Sequence, residues 1–299
     1  MLKKSTWLHL RIPFSFFLLP VFLFALAVSP NINEARIIIV FLAVHIFLYP
    51  ASNGYNSYFD KDEKSIGGLK TPPKVTRGLY FTALFFDLVA ILLGLVINWE
   101  FALMLFLYGL VSKAYSHPSI RIKKFAWASW FIAGLFQGFF TFLMCYIGLN
   151  DYGLAQLQKT SLLIPALLSS AILWGSYPMT QVYQHEEDAE RGDNTLSLKL
   201  GILGTFHFTA VFFTLATLLF AWYFVHFFQV KYALSFFASM SPVVFFFGTW
   251  YLRARKDPSR ADYSHAMRLN FISSFCLNVF FIYFFLDHSQ VLQAIKAGY

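Results

Sequence analysis

Long blocks of uninterrupted apolar residues, separated by short polar segments, organise this chain from end to end. Runs such as 16–28 and 133–146 are apolar at odd and even positions alike. A barrel strand in lipid would alternate with period two over roughly ten residues, so the blocks read as helices. Each approaches the roughly 17–25 residues that a helix needs to cross a bilayer. Inside the hydrocarbon the backbone has no water to bond, which leaves helices as the spanning element here. The pattern predicts nine spans: 12–28, 36–52, 79–97, 101–116, 126–148, 162–180, 204–229, 232–252 and 267–286. The first follows Lys3-Lys4 and resembles a signal peptide. Its apolar run is too long for one and no clear small-x-small cleavage site follows, so it is kept as a span. No connecting segment is long enough for a soluble domain. The expectation is an all-α, polytopic membrane protein forming one domain over residues 1–299.

Composition agrees with that pattern. Of 299 residues, 58% are hydrophobic and 13% charged, about half the charged share of a soluble domain. With the N-terminus in the cytosol, the inside segments are 1–11, 53–78, 117–125, 181–203 and 253–268. They hold all but five of the 23 Lys and Arg, the exceptions being Arg36, Lys113, Lys159, Lys231 and Lys296. That is the positive-inside distribution. It accounts for the net charge of +8 through topology and anionic lipid, without a nucleic-acid partner. A multi-pass protein of a bacterial inner or plasma membrane, with its polar loops in the cytoplasm, is the expected setting. Cys145 and Cys276 fall inside apolar spans and read as small buried hydrophobes. His45, His207 and His226 share no ligand spacing and read as structural, while His185 lies inside a polar cluster.

Two polar clusters sit at matching ends of two spans. After the second come Asn56 and Asp60, four apart and on one helical face. Glu63 continues that face if the helix does, and Asp62 points elsewhere. Gly67-Gly68, Lys70, Pro72-Pro73 and Lys74 follow. After the sixth span, Gln184, Glu186, Glu187 and Asp188 repeat the arrangement, with Arg191, Gly192 and Thr195 behind them. Between the two, Tyr115 through Lys124 contributes the cations Arg121 and Lys123. Carboxylates in isolated cytosolic loops are commonly only solvated. Two such clusters on one face, with a basic loop beside them, suit a divalent cation gripping an anionic phosphoryl group. Magnesium and a diphosphate are the expected pair. Asp87 and Gln137 are polar groups inside spans. A carboxyl at membrane depth is functional by default, but a buried, hydrogen-bonded or protonated Asp87 is equally open. Gln137 is a candidate cavity-lining group.

At these residues the sequence resembles the UbiA superfamily of intramembrane prenyltransferases. The match rests on Asn56-Ser57-Tyr58-Phe59-Asp60 after the second helix and on Gln184-His185-Glu186-Glu187-Asp188 after the sixth. Arg11-Ile12-Pro13, Tyr115-Ser116 through Lys123, and Gly192 with Thr195 support it. The resemblance covers essentially the whole chain and implies helices bundled around a central cavity. It implies transfer of a prenyl group from a polyprenyl diphosphate to a lipophilic, aromatic acceptor, with Mg2+ as cofactor. Asp60, Asp188 and Asn56 would be catalytic. Asn56, Asp60, Glu63, Gln184, Glu187 and Asp188 would hold the metal, and Lys70, Arg121, Lys123, Arg191 and Tyr115 the diphosphate. Tyr58, Tyr115 and Tyr183 could face an allylic cation. Two positions depart from the family pattern: Lys64 and Gln184 stand where it has aspartates. Glu63, Glu186 and Glu187 could compensate. Two other readings stay open: an intramembrane terpene cyclase, and a non-catalytic prenyl-lipid carrier on the same scaffold.

Overall fold

The computed structural model describes residues 3–61, 63–289 and 291; Asp62 and Lys296 lie outside the described residues. In chain order the helices are α1 (Lys4–Ala27), α2 (Glu34–Asp60), α3 (Arg77–Ile97), α4 (Trp99–Ser116) and α5 (Ala126–Asn150). They continue with α6 (Thr160–Thr180), the short α7 (His185–Glu190), α8 (Leu196–Phe227), α9 (Val230–Lys256) and α10 (Tyr263–His288). Eight of these are long and apolar enough to cross a membrane. The remaining expected span is α4, an 18-residue helix made more polar by Glu100, Lys113 and its Tyr115-Ser116 end. It packs against α2, α3 and α5, so each of the nine sequence spans corresponds to a helix.

The outer faces carry the mark of lipid. On α3, Phe81, Phe85, Leu88, Leu92 and Leu95 recur every three or four residues and are all more than half exposed. In water a stripe of that size would drive association; in hydrocarbon it costs nothing. The buried faces interlock mainly through rings. Phe24 of α1 stacks on Phe281 of α10 at 4.7 Å, and Phe220 of α8 on Phe236 of α9 at 5.0 Å. Cys145 and Cys276 are buried and unpaired in this packing.

Four departures from regular helix shape the interior. Arg11, at φ 48°, breaks α1, and residues Ile12–Leu18 continue as a tight 3-10 segment. Residues Leu42–Leu48 of α2 and Leu135–Phe140 of α5 widen into π-helical turns. Gly201, at φ 70°, kinks α8. The α5 widening has a visible cause. Ser170 of α6 inserts its hydroxyl into the α5 ladder, donating to Gly134 O at 2.7 Å and accepting from Phe139 N at 2.8 Å. Such insertion is a known way to open a turn. Gly138 permits it, because a Cβ there would lie 2.5 Å from the Ser170 backbone. Asp87 also finds a partner inside the bundle. It is 8% exposed and ion-paired with Lys113 of α4, whose ammonium also lies over the Tyr55 ring of α2.

Candidate active site

The polar end of α2 begins the site. The helix runs to Asp60 and stops because Lys61 turns into the left-handed region at φ 51°. Asn56 and Asp60 therefore share the last helical face, while Glu63 falls beyond the turn and off it. Asn56 donates its amide to Ser116 Oγ of α4 at 2.8 Å, which ties the two helix ends together. Asp60 is ion-paired with Lys123. Lys123 lies in the short 3-10 turn Ile122–Lys124, which opens at Arg121 with φ 46°.

The second cluster folds back onto this turn. Asp188 N bonds Gln184 O at 2.9 Å, so Gln184 closes the first turn of α7. Gly192, at φ 73°, reverses the chain after α7, and Asn194 N then bonds Lys124 O at 3.3 Å. That latch draws Asp193 into a cluster of cations. Arg121 grips it with two bonds of 2.8 and 2.9 Å, and Lys123 and Arg191 lie 3.5 and 3.7 Å away. Asp193 is 2% exposed. Burial alone would raise its carboxyl, but these cations outweigh it and hold it below the usual range.

Asp188 is in a different state. It accepts from Thr195 Oγ1 and from Arg191 Nη2, both at 3.1 Å. Burial nevertheless pushes its carboxyl up to about 7, and the Thr195 hydroxyl offsets only part of this. Asp193 and Glu187 push the same way, and the positive charge of Lys123 offsets only part of the effect. The surrounding polar atoms are also underused: Arg11 Nε, Gln181 Oε1 and Glu187 Oε2 are buried without a partner among the described residues.

Asn56, Asp60, Tyr115, Lys123, Gln184, Asp188 and Arg191 line one cavity of about 250 Å³. Its lining carries three cations (Arg11, Lys123, Arg191) and three carboxylates (Asp60, Asp188, Asp193). Glu63, Lys70 and Glu187 line a neighbouring outer groove of about 560 Å³, which Gln184 also borders. There Glu187 Oε1 accepts from Glu63 N at 3.3 Å, and Gln184 donates its amide to Ser65 O at 3.1 Å. Lys64 pairs with Glu186 at 2.9 Å, so one of the departing residues is matched by an acid of the other cluster. Arg121 stands behind the cavity, engaged with Asp193. Tyr115 and Tyr183 border the cavity, whereas Tyr58 packs on Phe59 and Tyr80.

Below the polar cavity lies an apolar chamber of about 200 Å³, walled by rings such as Phe17, Phe24, Phe213, Phe220 and Phe281. Seven residues belong to both spaces: Phe14, Ser52, Asn53, Tyr108, Gln137, Tyr177 and Thr180. The two spaces thus join through a collar, with a charged head compartment on one side and a greasy one on the other.

The donor set can be tested against magnesium. Among the described residues no three acidic, histidine or cysteine side chains converge to cage an ion. Magnesium at phosphate sites is commonly held by one or two carboxylates, with waters and phosphate oxygens completing the shell. Asp60 and Asp188, facing one cavity, fit that mode. Sequence reasoning did not pick out Asp193 or Tyr177. Asp193 stands five positions after Asp188 and just behind a turn glycine, a weak signal. Tyr177, whose hydroxyl meets that of Tyr115 at 2.5 Å, gave none.

Known proteins place this architecture. A profile of the UbiA prenyltransferase family matches residues 17–274. A UbiA homologue from Archaeoglobus fulgidus, solved with GPP and Mg2+, is similar with a TM-score of 0.68 at 16% identity, over 94% of this chain and 99% of that one. Its complex with DMAPP and Mg2+ gives 0.68 at 15% identity, over 95% and 99%. A digeranylgeranylglyceryl phosphate synthase gives 0.59 at 19% identity, over 95% and 97%. No curated protein matches by sequence. At these identities the structural likeness speaks for the fold.

Proposed function

This chain belongs to the UbiA prenyltransferase family, and from that premise we propose that it moves a prenyl group from a polyprenyl diphosphate to a lipophilic, aromatic acceptor within the bilayer. The observation that carries the proposal is the shared cavity. Asp60 and Asp188, from distant parts of the chain, face one charged compartment that opens through a collar into an aromatic-lined chamber. Such a space suits a molecule with an anionic head and an apolar tail.

Charge balance supports magnesium. The lining cations and carboxylates already offset one another. A diphosphate would therefore bring several negative charges into a half-buried space with nothing left to meet them. When bound, magnesium would neutralise the head group and make it a better leaving group. Asp60 and Asp188 would hold it, with Asn56 and Gln184 as neutral oxygen donors and Glu63 and Glu187 approaching from the groove. Lys123 and Arg191, freed in part from their carboxylates, would bond the bridging and terminal oxygens as charge develops there. Tyr115, on the cavity wall, would add a hydroxyl contact to the diphosphate; Lys70 would approach from the groove, and Arg121 would act by holding Asp193 in place.

The C1–O bond of the donor breaks with its electron pair staying on the departing diphosphate. A nucleophilic atom of the acceptor supplies the pair for the new bond to C1. It then loses a proton to the departing diphosphate or to water. The collar and chamber keep water from C1 during this interval. Positive-inside counting supports a multi-pass orientation with this compartment facing the cytoplasm. Purified protein in nanodiscs, given GPP, farnesyl diphosphate or longer donors with and without Mg2+, tests the proposal. Diphosphate release that depends on Mg2+ and an aromatic acceptor is the expected result. Movement of prenyl lipid across proteoliposomes without any diphosphate release would favour the carrier reading instead.

A further inference from the structure

Asp193 occupies the kind of place in the cavity that an anionic head group needs. Arg121 holds its carboxylate with Nε at 2.8 Å and Nη2 at 2.9 Å, while Lys123 Nζ and Arg191 Nε lie 3.5 and 3.7 Å from Oδ2. Two guanidinium groups and an ammonium around one pair of oxygens are a setting suited to phosphoryl groups. Here a side chain of the protein fills it.

The backbone fixes that carboxylate in position without help from a ligand. Gly192, at φ 73°, reverses the chain. Asp193 N then bonds Asp188 O at 2.9 Å, and Asn194 N bonds Lys124 O at 3.3 Å. The two-bond grip of Arg121 completes the tether and keeps the group ionised. Asp193 is buried, yet it borders the cavity. So held, it stays in place when a diphosphate enters.

The three carboxylates of the lining differ in what a bound head group does to them. Asp60 is paired with Lys123, and Asp188 with Arg191 at 3.1 Å. In the prenyl-transfer reading both turn to Mg2+ and so release their cations to the diphosphate. Asp193 is tied to Arg121 instead. Lys123 and Arg191 remain beside it, and it competes with the diphosphate for their hydrogen bonds. It also repels the incoming negative charge across a half-buried gap, where salt screens little. With the cavity empty, the buried cations keep a partner. With the cavity filled, they grip the head group less tightly than they would alone.

We propose that Asp193 is a resident counter-anion. It stands in for the head group in the empty cavity and, once the C1–O bond has broken, weakens the hold of Lys123 and Arg191 on the diphosphate so that it departs. This rests on the prenyl-transfer reading and adds to it a positioning residue that governs product release.

The test uses the full chain in nanodiscs, with inorganic diphosphate as the probe and its affinity and dissociation rate as the readouts. Asp193→Asn keeps the size of the side chain and removes its charge. It should bind diphosphate at least roughly tenfold more tightly than wild type, with the gain in slower dissociation. A residue that only held Arg121 in place would give the opposite sign, because its loss would scatter the cations. Asp193→Glu keeps the charge and should stay within about threefold of wild type. Asp193→Ser, also neutral, takes the place of the asparagine variant should that one not fold. Unchanged or weaker binding in the folded neutral variant overturns the counter-anion, as does equal tightening in Asp193→Glu or failure of both neutral variants to fold. Farnesyl S-thiolodiphosphate, a donor analogue that ionises too slowly to react, is titrated into the wild type with Mg2+ in parallel. Failure of the analogue to bind overturns the prenyl-transfer reading and this inference with it. Analogue binding leaves that reading standing whatever the Asp193 variants do.

Discussion

The two ends of the bundle both gather buried polar residues, and they use them in opposite ways. At the end where α1 closes and α2 opens, Asn150 is 0% exposed and saturated. It accepts from Asn31 N at 2.9 Å and donates to Ser29 Oγ and Tyr146 O, both at 2.8 Å. Asp151 beside it takes Asn98 at 2.8 Å and Arg36 at 3.7 Å. None of these residues borders the cavity or the chamber. At the other end Asp60, Asp188 and Asp193 face Lys123, Arg121 and Arg191 around open space, with Gln181 Oε1 and Arg11 Nε unpartnered among the described residues. Neutral amides with every bond made are a clasp. Charges arranged around a space, with atoms to spare, are a receptor.

The largest test of that contrast is to remove charge at the receptor end. Asp60→Asn and Asp188→Asn should each reduce Mg2+-dependent diphosphate release by roughly 10³-fold or more. Thermal unfolding should stay close to wild type, because Lys123 retains Asp193 at 3.5 Å when Asp60 is neutralised. Near-normal turnover in both variants would end the catalytic reading of this cavity.

The buried pair between the two ends should behave in a third way. Asp87→Leu leaves the Lys113 ammonium without its partner and should cost about 2–3 kcal/mol of stability. Adding Lys113→Met should restore most of it, since an apolar pair suits this depth. If the double variant is no more stable than the single one, the pair contributes something besides charge neutralisation. At the clasp, Asn150→Leu strands Asn31 N, removes the bond that Ser29 Oγ accepts while leaving its own bond to Ala25 O, and should cost about 2 kcal/mol. Acceptor and donor constants should not move; a shift in either would mean that the two ends communicate.

Much of this layout is legible along the chain, and the illegible part has a physical reason. The spans show because lipid demands apolar blocks of one length. Asn56 with Asp60 and Gln184 with Asp188 show because i, i+4 spacing marks a helical face. Asp193 does not, because its importance comes from the latch of Asn194 onto Lys124, which joins loops some seventy residues apart. Gln137 stands out as a polar residue in an apolar span, yet its place at the collar depends on Ser170 reaching across from α6. Arg11 reads as a basic residue at a membrane edge. In the structure it breaks α1 and bridges Gly67 and Asn53. Local periodicity cannot report contacts made between helices.

The mildest prediction concerns where the receptor ends. Glu63 lies past the turn at Lys61 and borders the outer groove, yet its backbone N–H bonds Glu187, whose Oε2 is buried without a partner among the described residues. If the groove lends its charge to the cavity, Glu63→Ala should raise the Mg2+ concentration for half-maximal activity by roughly two- to threefold, since the number of ligand charges tunes affinity. Asp62→Ala should do less, Asp62 being the residue expected to point away from the Asn56–Asp60 face. Paired Mg2+ titrations of the two variants decide the matter. Equal, wild-type curves would confine the metal to Asp60 and Asp188 and leave the groove as ordinary solvated surface. The receptor would then be as sharply bounded as the clasp at the opposite end.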